Sequence, residues 1–400
     1  MSWEKTTVGE IVTTRKGYAF KSSEYVNKGV PVVRVSDYTM DSISDADLKY
    51  YPYDEKQNYI DYELHEKDVI VQTVGSWQNN PASVVGKVVR VPYFLEGALL
   101  NQNAVKIMPA EGIDNNFLFY RLKTEEFKGH VLGEARGAAN QASITLDTIK
   151  SFDFLIPDCL TQKKIGNILS KYDELIENNR KQIKLLEETA QRLYKEWFVD
   201  LRFPGYEDCK IVDGVPVEWK KKKLDEIADV IMGQSPKSEF YNKEHKGLPF
   251  HQGVGSYGAR FVQDDTYSTS FTKVAEANSI LFSVRAPVGR LNITKNKIVI
   301  GRGIAAINSK SGFQSYLFYA LKERFFKDDI LGNGAIFASI SKNELLNQVF
   351  VIPDAKIMSA YEKIAAALDK KIEVVDMQLQ QLVEARDRLL PKLMNGEIEV

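Results

Sequence analysis

The sequence predicts an α+β protein with a pseudo-twofold internal duplication: two similar mixed α/β globules, separated by two long helices that form an antiparallel coiled coil. Residues 139–193 align without a gap to residues 335–389, and 17 of the 55 pairs are identical. Ordinary composition gives about three identical pairs by chance. Each aligned stretch also ends in a long, charged helical pattern. The predicted order is therefore globule, helix, globule, helix.

The two globules are expected at residues 1–157 and 201–353. Short β-branched runs such as VPVVRV and DVIVQTV in the first, and SILFSV in the second, are typical of strands. NFLFYRLKTEEF and YLFYALKERFF predict a helix in each globule. WEKTTVGEI at Trp3 and WKKKKLDEI at Trp219 begin the two copies, so the duplication extends beyond the ungapped region.

The helices are expected within residues 158–200 and 354–400, the second with a C-terminal tail. Asp158 and Asp354 each follow an Ile-Pro pair near a helix start, where a carboxylate is favoured. From Ile165 and from Tyr361, mainly apolar residues recur in alternating steps of four and three, which is typical of a coiled-coil stripe. Because the first helix leads into the duplicate globule, antiparallel pairing is expected.

Two residues depart from the regular helical pattern. Asn179 is polar on the first stripe and is typical of a buried residue that fixes coiled-coil register. Pro391 predicts that the second helix kinks or ends there, since proline cannot donate the helical hydrogen bond.

Composition and missing motifs narrow the classes of function. The net charge of -1 gives no overall attraction to nucleic acid, so DNA binding would depend on local basic clusters. The two cysteines lack a CxxC spacing, and the four histidines lack metal-ligand spacing. No adenine-methylase signature or Walker-type phosphate-binding loop is present. A protein that is not an enzyme by itself, does not enter a membrane and lies in the cytoplasm is expected.

Three stretches resemble a known family. QKKIGNILSKYDELIENNRKQIKLLEETAQRLYKEWFVDLRFPG resembles the central conserved region of the specificity subunits of type I restriction-modification systems. LVEARDRLLPKLMNGEI is similar to their distal conserved region, and GVPVEWKKKKLDEI to the start of their second target-recognition domain. The resemblance covers essentially the whole chain. Because the family's architecture is pseudo-circular, the resemblance also implies that the terminal NGEIEV folds back toward the first globule.

The resemblance implies a function in DNA recognition. Each globule would be a target-recognition domain that reads one half of a bipartite asymmetric site in double-stranded DNA. The helices would set the spacing and dock two methylation subunits, which restriction subunits can join. No cofactor is expected on this chain, because S-adenosylmethionine, ATP and magnesium would be bound by the partner subunits.

The loops that differ between matched strands are the candidates for reading DNA. Base edges are typically read by Arg, Asn and Gln, and phosphates by Lys, Ser and backbone groups. The contrasting loops include GSWQNNPAS, LNQN and EARGAANQ in the first copy, and RAPVGR, IGRG, NGAIF and FHQGVGSYGARF in the second. The residues predicted to contact DNA are Ser76, Trp77, Gln78, Asn79, Asn80, Asn101, Gln102, Asn103, Arg136, Asn140, Gln141, Gln252, Ser256, Tyr257, Arg260, Arg285, Arg290, Arg302 and Asn333.

Each candidate has a structural alternative. Gly, Asn and Pro mark surface turns whatever the function. Trp77 could be a packed aromatic anchor, Arg302 a buried salt-bridge partner, and the lysine run at 220–223 a solvated surface rather than a phosphate clamp.

An apolar cluster at the end of the first helix, formed by Tyr194, Trp197 and Phe198, is predicted to bind a partner subunit; alternatively it closes the junction with the first globule. Two other classes of function stay open. A stand-alone coiled-coil adaptor leaves the duplicated globule unexplained, and a self-contained enzyme lacks a catalytic constellation.

Overall fold

The chain forms two compact units, and the boundary between them falls inside both long helices. The computed structural model describes residues 3–39, 42–77, 83–138, 141–326 and 339–400. Unit 1 comprises Met1–Asn178 and Gln378–Val400, and unit 2 comprises Asn179–Met377. Each unit is therefore a globule together with one half of each helix.

Unit 1 contains four small sheets in its described part. Its strands are β1 (Glu4–Thr7), β2 (Val12–Lys16), β3 (Val30–Val33), β4 (Lys49–Tyr51), β5 (Val69–Gln72), β6 (Val74–Gly75), β7 (Val88–Arg90), β8 (Leu99–Leu100), β9 (Ala104–Pro109), β10 (Arg136–Ala138), β11 (Gln141–Ser143) and β12 (Asp153–Ile156). The sheet orders are β2-β9-β5-β7, β4-β3-β8, β10-β11-β6 and β1-β12. All four residues of β5 are buried, which explains the three consecutive apolar residues Val69, Ile70 and Val71.

The helices of unit 1 pack on the β2-β9-β5-β7 sheet. They are α1 (Val8–Ile11), α2 (Asn115–Leu122), α3 (Glu125–Gly133), α4 (Leu146–Lys150) and the first half of α5 (Cys159–Phe198). The main core joins Phe117 of α2 and Phe127 of α3 to Leu169 of α5. Leu393 and Met394, near the end of the chain, are buried in the same core.

Unit 2 repeats this architecture. Its strands are β13 (Ile211–Val212), β14 (Val215–Pro216), β15 (Lys220–Lys223), β16 (Ala228–Met232), β17 (Tyr241–Asn242), β18 (Leu248–His251), β19 (Tyr267–Ser268), β20 (Val274–Ala275), β21 (Ile280–Ser283), β22 (Leu291–Ile293), β23 (Ile298–Ile300), β24 (Ile304–Ser309) and β25 (Val349–Ile352). Its helices are α6 (Leu224–Ile227), α7 (Gln314–Phe326), α8 (Lys342–Leu346) and α9 (Ala355–Met394).

The strand pairing confirms the duplication. The order β16-β24-β21-β22 in unit 2 matches β2-β9-β5-β7 in unit 1, and β15-β25 matches β1-β12. The register matches as well, since Val69 pairs with Ile107 and the corresponding Ile280 pairs with Ile307. The lysine run at 220–223 is β15, an antiparallel partner of β25, and three of its four side chains are exposed.

The long helices begin and pack as predicted. α5 and α9 are 40 residues each. Asp158 Oδ1 accepts hydrogen bonds from the N–H groups of Leu160 and Thr161, and Asp354 does the same for Lys356 and Ile357. Both carboxylates therefore cap their helices. Every residue of the two predicted stripes is buried or half-buried, including Asn179.

Within each unit the two helix halves run antiparallel. In unit 2, Ile357, Met358, Tyr361 and Ala365 near the start of α9 share a core with Ala190, Tyr194 and Trp197 near the end of α5. In unit 1, Lys164, near the start of α5, donates to the carbonyl of Val400 at the far end of the chain.

The C-terminal helix does not end at Pro391. It continues to Met394, and the carbonyl of Pro391 still accepts a hydrogen bond from the N–H of Asn395 at 3.0 Å. Burial of Leu393 and Met394 in the core of unit 1 offsets the missing proline donor. The tail beyond the helix then lies on the first globule, as expected, with Gly396 close to the ring of Trp3.

Candidate nucleic-acid interface

In unit 1, three of the loops that differ between the two copies meet at one end of the β2-β9-β5-β7 sheet. Thr73 follows β5 directly, and its N–H donates to the carbonyl of Asn103 at 2.9 Å. The carbonyl of Thr73 accepts from the N–H of Ile144, also at 2.9 Å. This single residue therefore holds the loops around Ser76, Asn103 and Gln141 together.

Unit 2 uses the same main-chain connections. The N–H of Val284, which follows β21, donates to the carbonyl of Gly303 at 2.9 Å, and its carbonyl accepts from the N–H of Ile340 at 3.0 Å. Main-chain hydrogen bonds do not depend on side-chain identity, so this frame can hold different side chains in the two copies. We call the loops joined at Thr73 the first loop cluster, and those joined at Val284 the second loop cluster.

The first loop cluster exposes amide and guanidinium side chains. Gln102, Arg136 and Gln141 are exposed, whereas Ser76, Asn101 and Asn103 are half-buried. Trp77 donates its indole N–H to the carbonyl of Ala138 at 2.9 Å and packs against the main core. Trp77 therefore has the packing contacts of an aromatic anchor. Gln78, Asn79, Asn80 and Asn140 lie outside the described residues.

The second loop cluster exposes arginines. Arg285 and Arg302 have exposed side chains, and Gln252 is exposed beside them. Ser235 links this group, because its hydroxyl donates to Gln252 Oε1 at 2.8 Å and accepts from the N–H of Arg302 at 3.2 Å. The alternative that Arg302 is buried in a salt bridge is therefore wrong.

Three further candidates of the second copy are Arg290, Ser256 and Asn333. Arg290 is exposed and lines a cavity of about 370 Å³ together with Tyr257 and Arg260. The hydroxyl of Ser256 donates to the carbonyl of Gly253 at 3.2 Å and contacts the ring of His251, so it closes its own loop. Asn333 lies outside the described residues.

Of the predicted DNA-contacting residues, Arg260 is buried, so the prediction is wrong for it, and Tyr257 is half-buried. Arg260 is 3% exposed, and its Nη2 donates to Asp369 Oδ1 at 2.6 Å. Its guanidinium also lies 3.7 Å from the centroid of the Phe318 ring. The hydroxyl of Tyr257 is buried, and this burial raises its pKa. Arg260 faces the interior because it contacts α7 and α9 of unit 2, whereas Tyr257 packs against a strand core that includes Leu281 and Ile300.

An aromatic group beside the first loop cluster was not predicted. The N–H of Tyr18 donates to the carbonyl of Leu100, which places this ring next to Asn101. Tyr18 is 37% exposed and its ring contacts Phe20, Tyr59 and Tyr62. The corresponding position of unit 2 is Gln234, whose N–H donates to the carbonyl of Ile300. Aligning RKGYAF with IMGQSP at their shared glycine would have indicated this difference.

The predicted partner-binding cluster is part of the core of unit 2. Tyr194 is 7% and Trp197 8% exposed, and both contact the ring of Tyr361. Phe198 packs edge-on against Tyr316, with ring centroids 5.0 Å apart. The three residues therefore do not form an exposed docking patch. They also pack on the second globule, not on the first, because the C-terminal half of α5 belongs to unit 2.

Neither a metal site nor a membrane span occurs in the part of the chain that the structure describes. No three or more His, Cys, Asp or Glu side chains in those ranges are grouped so as to hold a metal ion. No helix among them is long and apolar enough to cross a membrane.

The model of the type I restriction modification DNA specificity domain matches residues 1–188 and 216–384, one match for each copy. The chain belongs to this family. The role of such specificity domains is recognition of DNA sequence, and it is not catalytic. The internal repeat found in the sequence is thus a pair of specificity domains.

Known specificity subunits are similar to this chain along most of its length. The “Putative type I restriction enzyme MjaX specificity subunit” of Methanocaldococcus jannaschii is 30% identical, over 100% of this chain and 94% of that protein. The type I restriction enzyme HindI specificity subunit of Haemophilus influenzae is 25% identical, over 75% of this chain and 80% of that protein.

A solved structure supports the same fold for this family member. The crystal structure of a type I restriction-modification system S subunit from M. genitalium matches with a TM-score of 0.61. The match covers 98% of this chain and 96% of that one, at 18% sequence identity.

Proposed function

We propose that this chain is the DNA-recognition subunit of a type I restriction-modification complex. Each globule reads one half of a bipartite asymmetric site, and the paired helices set the distance between the halves. The observation that carries the proposal is the repeated loop frame at Thr73 and Val284, which holds different exposed side chains in the two copies. Two similar frames with different side chains are what an asymmetric site requires.

The exposed side chains suit different bases. Asn and Gln form paired hydrogen bonds with adenine, and Arg forms them with guanine. The first loop cluster exposes Gln102 and Gln141 along with Arg136, whereas the second exposes Arg285 and Arg302. We therefore expect the second half-site to contain guanine at the positions that these two arginines contact, and the first to contain adenine opposite the glutamines.

Catalysis belongs to partner subunits in this proposal. Two methylation subunits dock on the helices and transfer methyl groups from S-adenosylmethionine to adenine, and restriction subunits add ATP- and magnesium-dependent DNA translocation. A base must leave the stack to be methylated, so the assembled complex flips one adenine in each half-site. This chain contributes the sequence choice and the spacing.

Modified-base sequencing tests the proposal directly. The chain is expressed with its cognate methylation subunit, and the methylated genome is compared with that of cells that lack the chain. A new methyladenine motif made of two half-sites with a fixed gap is expected. A soluble complex with the methylation subunit that adds no motif would contradict the proposal and favour the adaptor function.

A domain exchange tests whether the two globules read independently. Residues 205–350 are replaced by the corresponding part of another specificity subunit. One half-site is expected to change while the other half-site is retained. Changes in both half-sites would contradict the assignment of one half-site to each globule.

A further inference from the structure

A half-buried carboxylate on α5, that of Asp173, bonds to three other elements of unit 1. Asp173 Oδ2 accepts hydrogen bonds from Arg90 Nη2 at 3.0 Å and from the hydroxyl of Tyr120 at 2.5 Å. Asp173 Oδ1 accepts from Arg386 Nη1 at 2.8 Å. Burial raises the pKa of Tyr120, so its hydroxyl stays protonated and donates. The single carboxylate therefore connects α5 to β7, α2 and α9.

Unit 2 contains the matching arrangement on α9. Asp369 aligns with Asp173 in the ungapped repeat. Asp369 Oδ1 accepts from Arg260 Nη2 at 2.6 Å and from the hydroxyl of Tyr319 at 3.1 Å. Tyr319 corresponds to Tyr120 in the repeated helix. We call these two groups the helix clamps.

The arginines of the two helix clamps come from different places in the chain. Arg90 is the last residue of β7 and pairs with Val69. The corresponding residue of β22, paired with Ile280, is Ile293, which cannot form an ion pair. In unit 2 the arginine is instead Arg260, which lies in the loop between β18 and β19. The carbonyl of Arg260 accepts a hydrogen bond from the N–H of Ile293 at 3.0 Å.

Both arginines nevertheless end in the same surroundings. The Arg90 guanidinium lies 4.2 Å from the centroid of the Phe119 ring, and that of Arg260 lies 3.7 Å from the centroid of Phe318. Phe119 and Phe318 correspond in the repeat. The two globules thus place a guanidinium at equivalent points, although the arginine comes from different parts of the two copies. This indicates that the ion pair itself has a role in each globule.

We infer that Asp173 and Asp369 are positioning residues that fix each globule at one register on its helix and thereby hold the gap between the two half-sites to a single length. Apolar packing is non-directional, so a globule held by it alone could slide or tilt on a helix at low cost. These ion pairs resist such movement, because any shift leaves the buried guanidinium of Arg386 or Arg260 without its partner. The inference rests on the proposed function and adds the residues that set its spacing.

The test compares gap lengths in the methylated motif of three variants. Asp173→Asn and Asp369→Asn each remove one clamp charge, while Asp153→Asn removes the exposed ion pair between Lys5 and Asp153 and serves as the control. For each clamp variant we expect the same bases in both half-sites, less methylation at the original gap, and new methylation at gaps one base pair shorter and longer. The control keeps the single gap of the wild type.

The gap distribution separates positioning from stability. A clamp that served only stability would lower methylation at every site and leave the gap unchanged. If Asp369→Asn does not fold, the double variant Arg260→Met/Asp369→Leu replaces the ion pair by apolar side chains, which is often neutral for stability. It is expected to fold and still to show the broadened gap.

The outcomes distinguish this inference from the proposed function. A single retained gap in folded clamp variants overturns the inference and leaves the proposed function standing. Absence of any motif with the wild-type chain overturns the proposed function, and the inference falls with it.

Discussion

The two loop clusters differ in side chains while their main chains make the same connections. Thr73 and Val284 bond to equivalent partners on both sides, yet Tyr18 beside the first cluster is replaced by Gln234 beside the second. The helix clamps show the same contrast in charge. In unit 1 two arginines surround Asp173, whereas in unit 2 Arg260 lies between Asp369 and Glu187. A duplicated frame held by main-chain bonds therefore tolerates large changes in side-chain chemistry.

The largest expected effect is on stability and concerns the core residues of the strands next to each loop cluster. Val71 opposite Val105 in unit 1 is replaced by Phe282 opposite Ala305 in unit 2, so one large and one small residue fill the place of two medium ones. Phe282 is fully buried. Phe282→Ala should lower the free energy of unfolding of unit 2 by about 3–5 kcal/mol, because it leaves a cavity.

Hydrogen exchange of β21 and β24, measured by mass spectrometry, reports the opening of unit 2 on its own. The double variant Phe282→Val/Ala305→Val restores the side-chain pair found in unit 1 and should recover much of the loss. Equal destabilisation by Phe282→Ala and the double variant would show that the two cores are not packed equivalently.

The next effect concerns the arginines of the second loop cluster. Arg302→Ala should weaken recognition of the second half-site by about 1.5–3 kcal/mol, or roughly 10- to 150-fold, because a hydrogen bond from a charged group is lost. The first half-site should be unaffected. Binding of oligonucleotides that vary one half-site at a time checks both statements.

The control for Arg302→Ala is Lys297→Ala. Lys297 is also exposed and pairs with Glu276, but it precedes β23 whereas Arg302 follows that strand. Equal losses of affinity from both variants would indicate general attraction to phosphates instead of base reading.

A smaller effect is expected in the first loop cluster. Gln102→Ala should cost about 0.5–1.5 kcal/mol at the first half-site, roughly 2- to 12-fold, because a neutral amide forms weaker hydrogen bonds than a guanidinium. The same oligonucleotide series measures it. A loss confined to the second half-site would reverse the assignment of globules to half-sites.

The smallest expected effect concerns the capping of two corresponding helices, α2 in unit 1 and α7 in unit 2. In unit 1 the local Asp114 accepts from the N–H of Phe117, whereas in unit 2 Glu362 of α9 accepts from the N–H groups of Ser315 and Tyr316. Burial raises the pKa of Glu362 above its ordinary value of 4.5, an effect that these hydrogen bonds only partly offset. The folded state therefore favours the protonated form.

Protonation of Glu362 should make the stability of unit 2 depend on pH. Its contribution is fully present below pH 4.5, the ordinary pKa, and is lost as the pH rises through the raised folded-state value. Glu362→Gln should flatten this decline. Hydrogen exchange of α7, corrected for the intrinsic effect of pH, measures it, with α2 of unit 1 as the internal reference. An unchanged slope in the variant would assign the pH dependence to another group.

Periodic and repeated features of the fold could be predicted from sequence. The stripes of α5 and α9 and the caps at Asp158 and Asp354 depend on residues a few positions apart, so local spacing was sufficient. The duplication was visible because the aligned stretch contains no insertion. Pro391 misled the prediction of the helix end because the burial of Leu393, which keeps the helix intact, is a tertiary effect.

The candidate site was less predictable because exposure is decided by distant partners. Arg260 and Arg302 both lie in glycine-containing loops, yet one is buried and the other is exposed. What buries Arg260 is Asp369, which is 109 residues away along the chain. Tyr194 and Trp197 were recognised as apolar, but the sequence did not show which globule covers them.

The division of the chain into units has a consequence for biosynthesis. Unit 2 is continuous from Asn179 to Met377, so a ribosome releases all of it in one stretch. Unit 1 begins earlier but needs residues Gln378–Val400, which supply the buried Leu393 and Met394. During translation the core of the first globule is therefore expected to stay incomplete while the second globule folds. We therefore expect the half of the protein that is made first to finish folding last.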